Sequence, residues 1–505
     1  MAAFSFALDL PDVPRLSVVR VAKPPSAREV ARLDAIIVVG RAGRRAEARS
    51  LPFAQELRRS LARRRLEPNT VRTLRLPGAA GTLCAYATIR SEASMFERLA
   101  LAARLGRALD EAAPRRIGVV SIDPDAGIAA RNLEAAVAAL WARAYQLPRF
   151  KGKSEPRAGA TELRLFGASA IDLERLAAEA SGNGLARWLT ALPANVLTPA
   201  SYRRAVARLA RRHHWRMRFF GRPALERLGA GAFLAVTQAH DAASGIVQLS
   251  YRPKRARGRA VVALVGKGVC FDTGGVNLKT HRSMLDMHAD MGGSAVALAV
   301  LAALTALEFP FGVDAWLALA ENQIGPRAYK PQDVVRAVNG TTIQVIHSDA
   351  EGRMLLADTL ALAARTRPKL IVDYATLTGA CVMALSERYA GVFTNRPALR
   401  PLLENAGVAS GERVWTFPMD DDFDSDLESR VADTLQCAVD ARADHILAAR
   451  FLKRFVPETI PWAHVDLAPS ERKGGLGHVT TDITGFGVRY SLNLLLDSGI
   501  LTGLR

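Results

Sequence analysis

Short apolar runs bounded by turn-forming residues recur along this chain, and arginine-rich amphipathic stretches separate them. That alternation predicts an α/β fold: a buried strand reads as a brief apolar run, and the helix covering it reads at a period near 3.6. In the N-terminal part, 34–40 (DAIIVVG) and 117–122 (IGVVSI) predict buried strands, while 92–109 and 128–145 predict amphipathic helices. The polar, breaker-rich 146–159 (QLPRFKGKSEPRAG) is the natural boundary, and a helical stretch over 172–191 follows it. Beyond residue 200 the alternation resumes with stronger apolar cores. There 261–266 (VVALVG) predicts a fully buried strand, 341–346 a strand, 353–367 a helix, and 370–374 a strand ending in the turn 375–380. The expected organisation is an N-terminal α/β domain over 1–165 and a linker helix over 166–195. A larger α/β domain over 196–505 then has a central mixed sheet flanked by helices.

Composition narrows this picture. The chain of 505 residues has room for two to four domains at roughly 100–200 residues each. With 49% hydrophobic residues it can bury a sizeable core. The net charge of +19, mostly arginine, can attract nucleic acid, membrane surfaces or acidic substrates, and is densest at 58–65 (RRSLARRR) and 203–218. A solvated basic surface is the plainer reading, since no aromatic stacking pattern runs through those arginines. Four cysteines without CxxC pairing read as reduced thiols in a cytosolic protein. The first residues lack a basic targeting region and reach Asp9 before any useful apolar run. The longest small-apolar run, 294–307, falls short of the ~20 residues that span a bilayer. No membrane partner is expected.

The chemistry concentrates in two clusters. His347-Ser-Asp349-Ala-Glu351-Gly-Arg353 sets two carboxylates two residues apart, with an arginine two residues further on. Crowded carboxylates repel unless a cation neutralises them. Upstream, Lys267, Asp272, Lys279 and Asp290 follow a buried strand in a glycine-punctuated segment. A phosphate-cradling loop is the obvious rival there, but Lys267 is followed by Gly268 rather than Ser or Thr. The chain also lacks GxSxG and HExxH motifs, which removes the serine-hydrolase and single-zinc signatures. Taken singly, each residue has an ordinary reading: Asp272 in a turn, Asp290 as a cap, Lys279 solvated, Asp349 and Glu351 as helix-start charges. Converging on strand ends, they point to a two-metal hydrolase.

HSDAEGR resembles the NTDAEGR signature of the leucyl aminopeptidase family, the cytosolic dinuclear-metal aminopeptidases of peptidase family M17. Gly266-Lys267-Gly268, the FDTGG segment and Lys279 match its upstream signature. The likeness continues through 192–199 (LPANVLTP), 375–380, 411–415 (GERVW) and 484–489 (TGFGVR). The resemblance implies a macro-like N-terminal domain and a catalytic domain that releases N-terminal amino acids from peptides. It further implies two divalent ions per subunit, Mn²⁺ or Zn²⁺, in a cytoplasmic homo-hexamer. By the same resemblance, Asp272 and Glu351 are carboxylates shared between the ions, Lys267 and Asp290 complete one shell, and Asp349 the other. Lys279 is a charged electrophile beside the scissile carbonyl, and Arg353 holds a bicarbonate-like anion acting as general base. Thr376 and Leu377 orient substrate through the backbone, and Met287 lines the side-chain pocket. His347 and Ser348 depart from the family's Asn-Thr, and His347 is expected to alter the substrate pocket or its surroundings. A lysine ligand must be neutral, which costs about 4–5 kcal/mol at pH 7 against a free pKa near 10.4 and falls to metal coordination to supply. The alternative function is a nucleic-acid-binding protein using the arginine-rich surface, with or without peptidase activity.

Overall fold

The structure, a computed structural model, describes residues 8–11, 14, 16–43, 50–62, 67–77, 81–152, 159–167, 171–239, 243–254, 260–440 and 442–502. Residues 63–65 of the first arginine run and 153–158 of the expected boundary lie outside the described residues.

The N-terminal sheet is built from β1 (Ser17–Val21), β2 (Ala35–Arg41), β3 (Arg72–Arg75), β4 (Leu83–Ile89), β5 (Arg116–Ser121) and β6 (Glu162–Phe166), in spatial order β1-β6-β5-β2-β4-β3. It is parallel apart from the antiparallel edge pair β3–β4. Both faces are covered, so the central strands read as continuous apolar runs: Ile37 and Val39 enter one core, Ile36 and Val38 another. The helices Met95–Arg107 and Ala126–Ala144 lie against it, the first opened by a Ser94–Glu97 capping box, the second by Asp125.

The second sheet uses β7 (Arg216–Gly221), β8 (Gly245–Tyr251), β9 (Val262–Asp272) and β10 (Val313–Asn322). After β11 (Val334–Arg336) and β12 (Thr342–Gln344), it continues with β13 (Leu370–Ala375), β14 (Ala390–Thr394) and β15 (Val414–Thr416). It closes with β17 (Trp462–Asp466), while the two-residue β16 (Thr434–Leu435) pairs with β12 in a small third sheet. The order is β15-β14-β17-β13-β9-β10-β8-β7. The middle four strands run parallel and the flanks add antiparallel pairs, giving the expected mixed sheet. Alternation sorts the core: Val262 and Leu264 face the buried helix Gly292–Ala306, while Ala263 and Val265 face the helix Glu351–Ala364.

The helix Leu173–Thr190, capped by Asp172, packs on Gly292–Ala306 and on the N-terminal helix Ala126–Ala144. Its Glu179, together with Glu134 of Ala126–Ala144, accepts hydrogen bonds from the buried guanidinium of Arg489. One cation thus ties three regions of the chain together. All four cysteines are buried and free.

Two boundaries differ from the sequence reading in ways that shape the site. Strand β9 does not stop at Gly266 but runs through Lys267 to Asp272. The helix after the acidic motif starts at Glu351, two residues before the expected start. Both differences arise where polar or glycine residues occupy buried regular structure, which hydrophobic periodicity does not register.

Candidate metal and catalytic centre

The central parallel strands end together, and their carboxyl ends carry the functional side chains, as open α/β sheets arrange their sites. Lys267 lies within β9 on the face shared with Ala263 and Val265. Asp272, five residues on, would point the other way in a regular strand. The pairing of β9 with β10 shifts register between Val269–Ala320 and Asp272–Asn322, so one extra residue enters β9. This bulge restores Asp272 to the face of Lys267.

Past β9 the chain turns at Gly274, whose φ of +86° suits glycine, and a Cβ there would meet Asn277 O at 2.5 Å. The turn brings Lys279 back toward Asp272. Asp290 follows the short turn Met287–Ala289, just before the helix Gly292–Ala306. That helix approaches closely because it begins with glycines: a Cβ on Gly293 would stand 2.1 Å from Tyr374 O. Asp349 and Glu351 bracket the start of the next helix, and Thr376 follows β13.

These elements meet at one point. Oxygens of Asp272, Asp290 and Glu351 lie within 4.8 Å of one another, and all three residues are buried. Lys267 Nζ stands 2.8 Å from Asp290 Oδ1 and 2.8 Å from Glu351 Oε1, and donates to Thr376 O at 3.0 Å. Lys279 Nζ lies 3.0 Å from Asp272 Oδ2 and 2.6 Å from Asp349 Oδ1. Asp272 Oδ1 accepts from Gly274 N and Asn322 Nδ2, each at 2.8 Å, and Asp290 Oδ1 accepts from Thr376 Oγ1 at 2.8 Å.

Four carboxylates therefore face two ammonium groups in a nearly dry site. Burial and mutual repulsion with Asp272 push the Glu351 and Asp349 carboxyls above their ordinary range, and burial also raises Asp290. Burial opposes the charge on Lys267, but Asp290 and Glu351 outweigh it and hold the ammonium firmly protonated. Lys279 is held charged against burial in the same way by Asp272 and Asp349. Among the described residues, Asp290 Oδ2 and Glu351 Oε2 are buried without a hydrogen-bond partner. Surplus negative charge and orphaned carboxylate oxygens fit divalent cations, which oxygen ligands suit.

The remaining expected residues sit at different depths. Thr376 binds both Asp290 and Lys267, so it orients the acidic cluster directly. Leu377 is partly buried and its N–H donates to Asp466 Oδ1 at 3.2 Å; Met287 is half-buried beside Asp290 in sequence. His347 is exposed, its Nδ1 accepting from Asp349 N at 3.3 Å, and partial desolvation followed by the Lys279 charge disfavours its protonation. Arg353 is buried, donates to Gln436 O at 3.2 Å, and pairs with Asp444 Oδ2 at 2.7 Å.

Several supporting residues escaped the sequence reading. Asn322 Nδ2 joins Asp272 to Ser348 O, and Ser348 Oγ donates to Gly274 O at 2.6 Å, locking the two motifs together. Gln436 Oε1 accepts from Ile346 N and His347 N, and its Nε2 donates to Ala350 O. Only Asn322 had a usable signal, a polar residue closing a long buried apolar strand. Gln436 and Asp444 come from distant segments with no local pattern.

Residues 184–492 match the model of the cytosol aminopeptidase family, catalytic domain. The chain is similar to a "Probable cytosol aminopeptidase" of Synechococcus sp. (strain JA-3-3Ab), 38% identical over 85% of this chain and 87% of the relative. A protein of the same description from Prochlorococcus marinus (strain MIT 9313) is 41% identical over 73% of this chain and 76% of its own length. No finding supports the nucleic-acid alternative.

Proposed function

The chain belongs to the cytosol aminopeptidase family and is a metal-dependent aminopeptidase acting on peptides, and from that premise we propose how its residues divide the reaction. Lys267, Asp272, Asp290, Asp349 and Glu351 would hold two divalent cations, Mn²⁺ or Zn²⁺. The observation that carries this reading is the convergence of Asp272, Asp290 and Glu351 within 4.8 Å around Lys267. Two such ions supply a water nucleophile active at neutral pH and polarise the scissile carbonyl.

The chain's own groups do the rest. Lys267 would serve as a ligand through its neutral amine, its proton passing to solvent, and Thr376 O, 3.0 Å from its Nζ, fixes where the nitrogen stands. Lys279 keeps its proton, and its ammonium balances the oxyanion that develops as the carbonyl carbon becomes tetrahedral. Thr376 and Leu377 orient the substrate backbone, while Met287 lines the pocket for its first side chain. A substrate's free α-amine complements this carboxylate-rich face and an internal amide does not, which confines cleavage to the N-terminal residue. Arg353 supplies positive charge for the anion that serves as general base, a bicarbonate-like ion in the family pattern. His347 shapes the approach to Lys279 without touching the cations.

The domain division 1–165, 166–195 and 196–505 belongs to the same reading, as do a cytoplasmic location and a homo-hexamer. The relatives' printed descriptions support the location. The functional test is hydrolysis of a panel of aminoacyl-arylamides after chelation and re-addition of Mn²⁺, Zn²⁺, Co²⁺ or Mg²⁺. Loss on chelation and recovery with a divalent ion is expected; inactivity with every metal would contradict the reading.

A further inference from the structure

The surroundings of Arg353 leave little opening for a dissolved anion. Its side chain is only 2% exposed, one Nη donates to Gln436 O, and the other pairs with Asp444 Oδ2 at 2.7 Å. Asp444 opens the helix Asp444–Lys453 after Ala443, whose φ of +51° directs the chain into the turn. A carboxylate there is stabilised twice, by the guanidinium and by the helix N-terminus. Its second oxygen, Oδ1, is buried with no hydrogen-bond partner, as is Arg353 Nε. A solute that used Arg353 in bidentate fashion would have to displace a carboxylate already seated on it.

The pair borders the reacting centre. Arg353 shares the first helical turn with Glu351. Asp444 also acts electrostatically on His347, as do Lys279 and Arg353, so these groups occupy one neighbourhood. We propose that Asp444 is the built-in anion of this site: its carboxylate occupies the position on Arg353 that a bicarbonate-like ion would otherwise take, and Oδ1 is the free oxygen it presents. The inference rests on the peptidase reading above but replaces its external anion with a side chain. The chain accordingly works without bicarbonate.

Two variants separate charge from space. Asp444→Ala opens a carboxylate-sized gap beside Arg353, whereas Asp444→Asn fills the gap without charge. In carbonate-free buffer both lose about 10²-fold in kcat, the scale of a missing acid–base group. Bicarbonate, formate or acetate restores at least about tenfold to Asp444→Ala, nothing to Asp444→Asn, and leaves the unaltered protein unchanged; a residue of purely structural importance would not be rescued in this way. Binding is read without turnover by titrating isotope-labelled bicarbonate into metal-free protein and following its NMR line width. Broadening is expected with Asp444→Ala, and not with the unaltered protein or with Asp444→Ala combined with Arg353→Ala. Bicarbonate binding by the unaltered protein, its stimulation by bicarbonate, or undiminished turnover of Asp444→Ala would overturn the proposal. Inactivity of the unaltered protein would count against the peptidase reading alone, because the bicarbonate titration still decides what occupies Arg353.

Discussion

Lys267 Nζ stands 2.8 Å from Glu351 Oε1, inside a cluster whose acidic members are the groups best suited to hold a cation. The ammonium itself answers the carboxylates. It therefore competes for the same oxygens, and a cation that takes Lys267 as a ligand must first expel its proton.

Metal loading should accordingly release protons. Calorimetric titration of Mn²⁺ or Zn²⁺ into metal-free protein, repeated in buffers of different ionisation enthalpy, should count about one proton from Lys267 in addition to those the raised Asp290 and Glu351 carboxyls release. Apparent affinity should rise about tenfold per pH unit for each proton displaced. Lys267→Met should lower the count by about one proton relative to the unaltered protein, and an unchanged count would mean that Lys267 stays charged.

Lys279 and Asp290 should separate by readout. Lys279→Ala should lower turnover by about 10²–10³-fold, the scale of a lost oxyanion-stabilising group, while metal content persists. Asp290→Ala should instead lower metal content, because its carboxylate is bound to Lys267 and carries an orphaned oxygen. Metal analysis with steady-state kinetics on both variants distinguishes the roles, and full metal content in Asp290→Ala would remove it from the ligand set.

Much of this centre was legible in the sequence because catalytic chemistry restricts residue types over short distances. Asp349, Glu351 and Arg353 fall within five consecutive residues at the start of one helix, and Lys267 and Asp272 within one strand, so their proximity was partly local. Periodicity predicted the elements at 34–40, 117–122 and 172–191 closely, since their apolar faces are buried in the usual way. It missed the continuation of β9 through Gly266-Lys267-Gly268, where glycines mark close helix contact rather than a loop: a Cβ on Gly266 would lie 2.4 Å from Ser294 Cα. The Arg353–Asp444 pair was illegible, because its members are 91 residues apart and only the tertiary fold joins them.

Gly352 offers a steric test of Lys267. An added Cβ would stand 2.8 Å from Lys267 Cδ, Cε and Nζ, and that lysine is tethered by Asp290, Glu351 and Thr376 O. Gly352→Ala should displace the lysine, cost about 1–3 kcal/mol by overpacking, and reduce occupancy of one ion. Thermal melting and metal analysis report the two effects. Unaltered occupancy and turnover would mean that Lys267 is free to move aside.

Acid should destabilise the fold through His478. Burial first, then Arg489 and Arg187, lowers its pKa from 6.5 to about 3. Below the unfolded value the unfolded chain binds a proton that the native state refuses, so stability falls as pH drops from about 6.5 toward 3. The slope from this group approaches about 1.4 kcal/mol per pH unit. Denaturant midpoints between pH 7.5 and 5 should fall less steeply for His478→Gln, and parallel slopes would remove His478 as the cause.

The most direct test is a crystal structure of the Mn²⁺-loaded protein with anomalous scattering recorded at the manganese edge. Two anomalous peaks about 3.5–4 Å apart are predicted, ligated by Lys267, Asp272, Asp290, Asp349 and Glu351, with Lys279 unligated. A single peak, peaks elsewhere, or Lys267 still paired with Asp290 and Glu351 in the loaded protein would contradict the account.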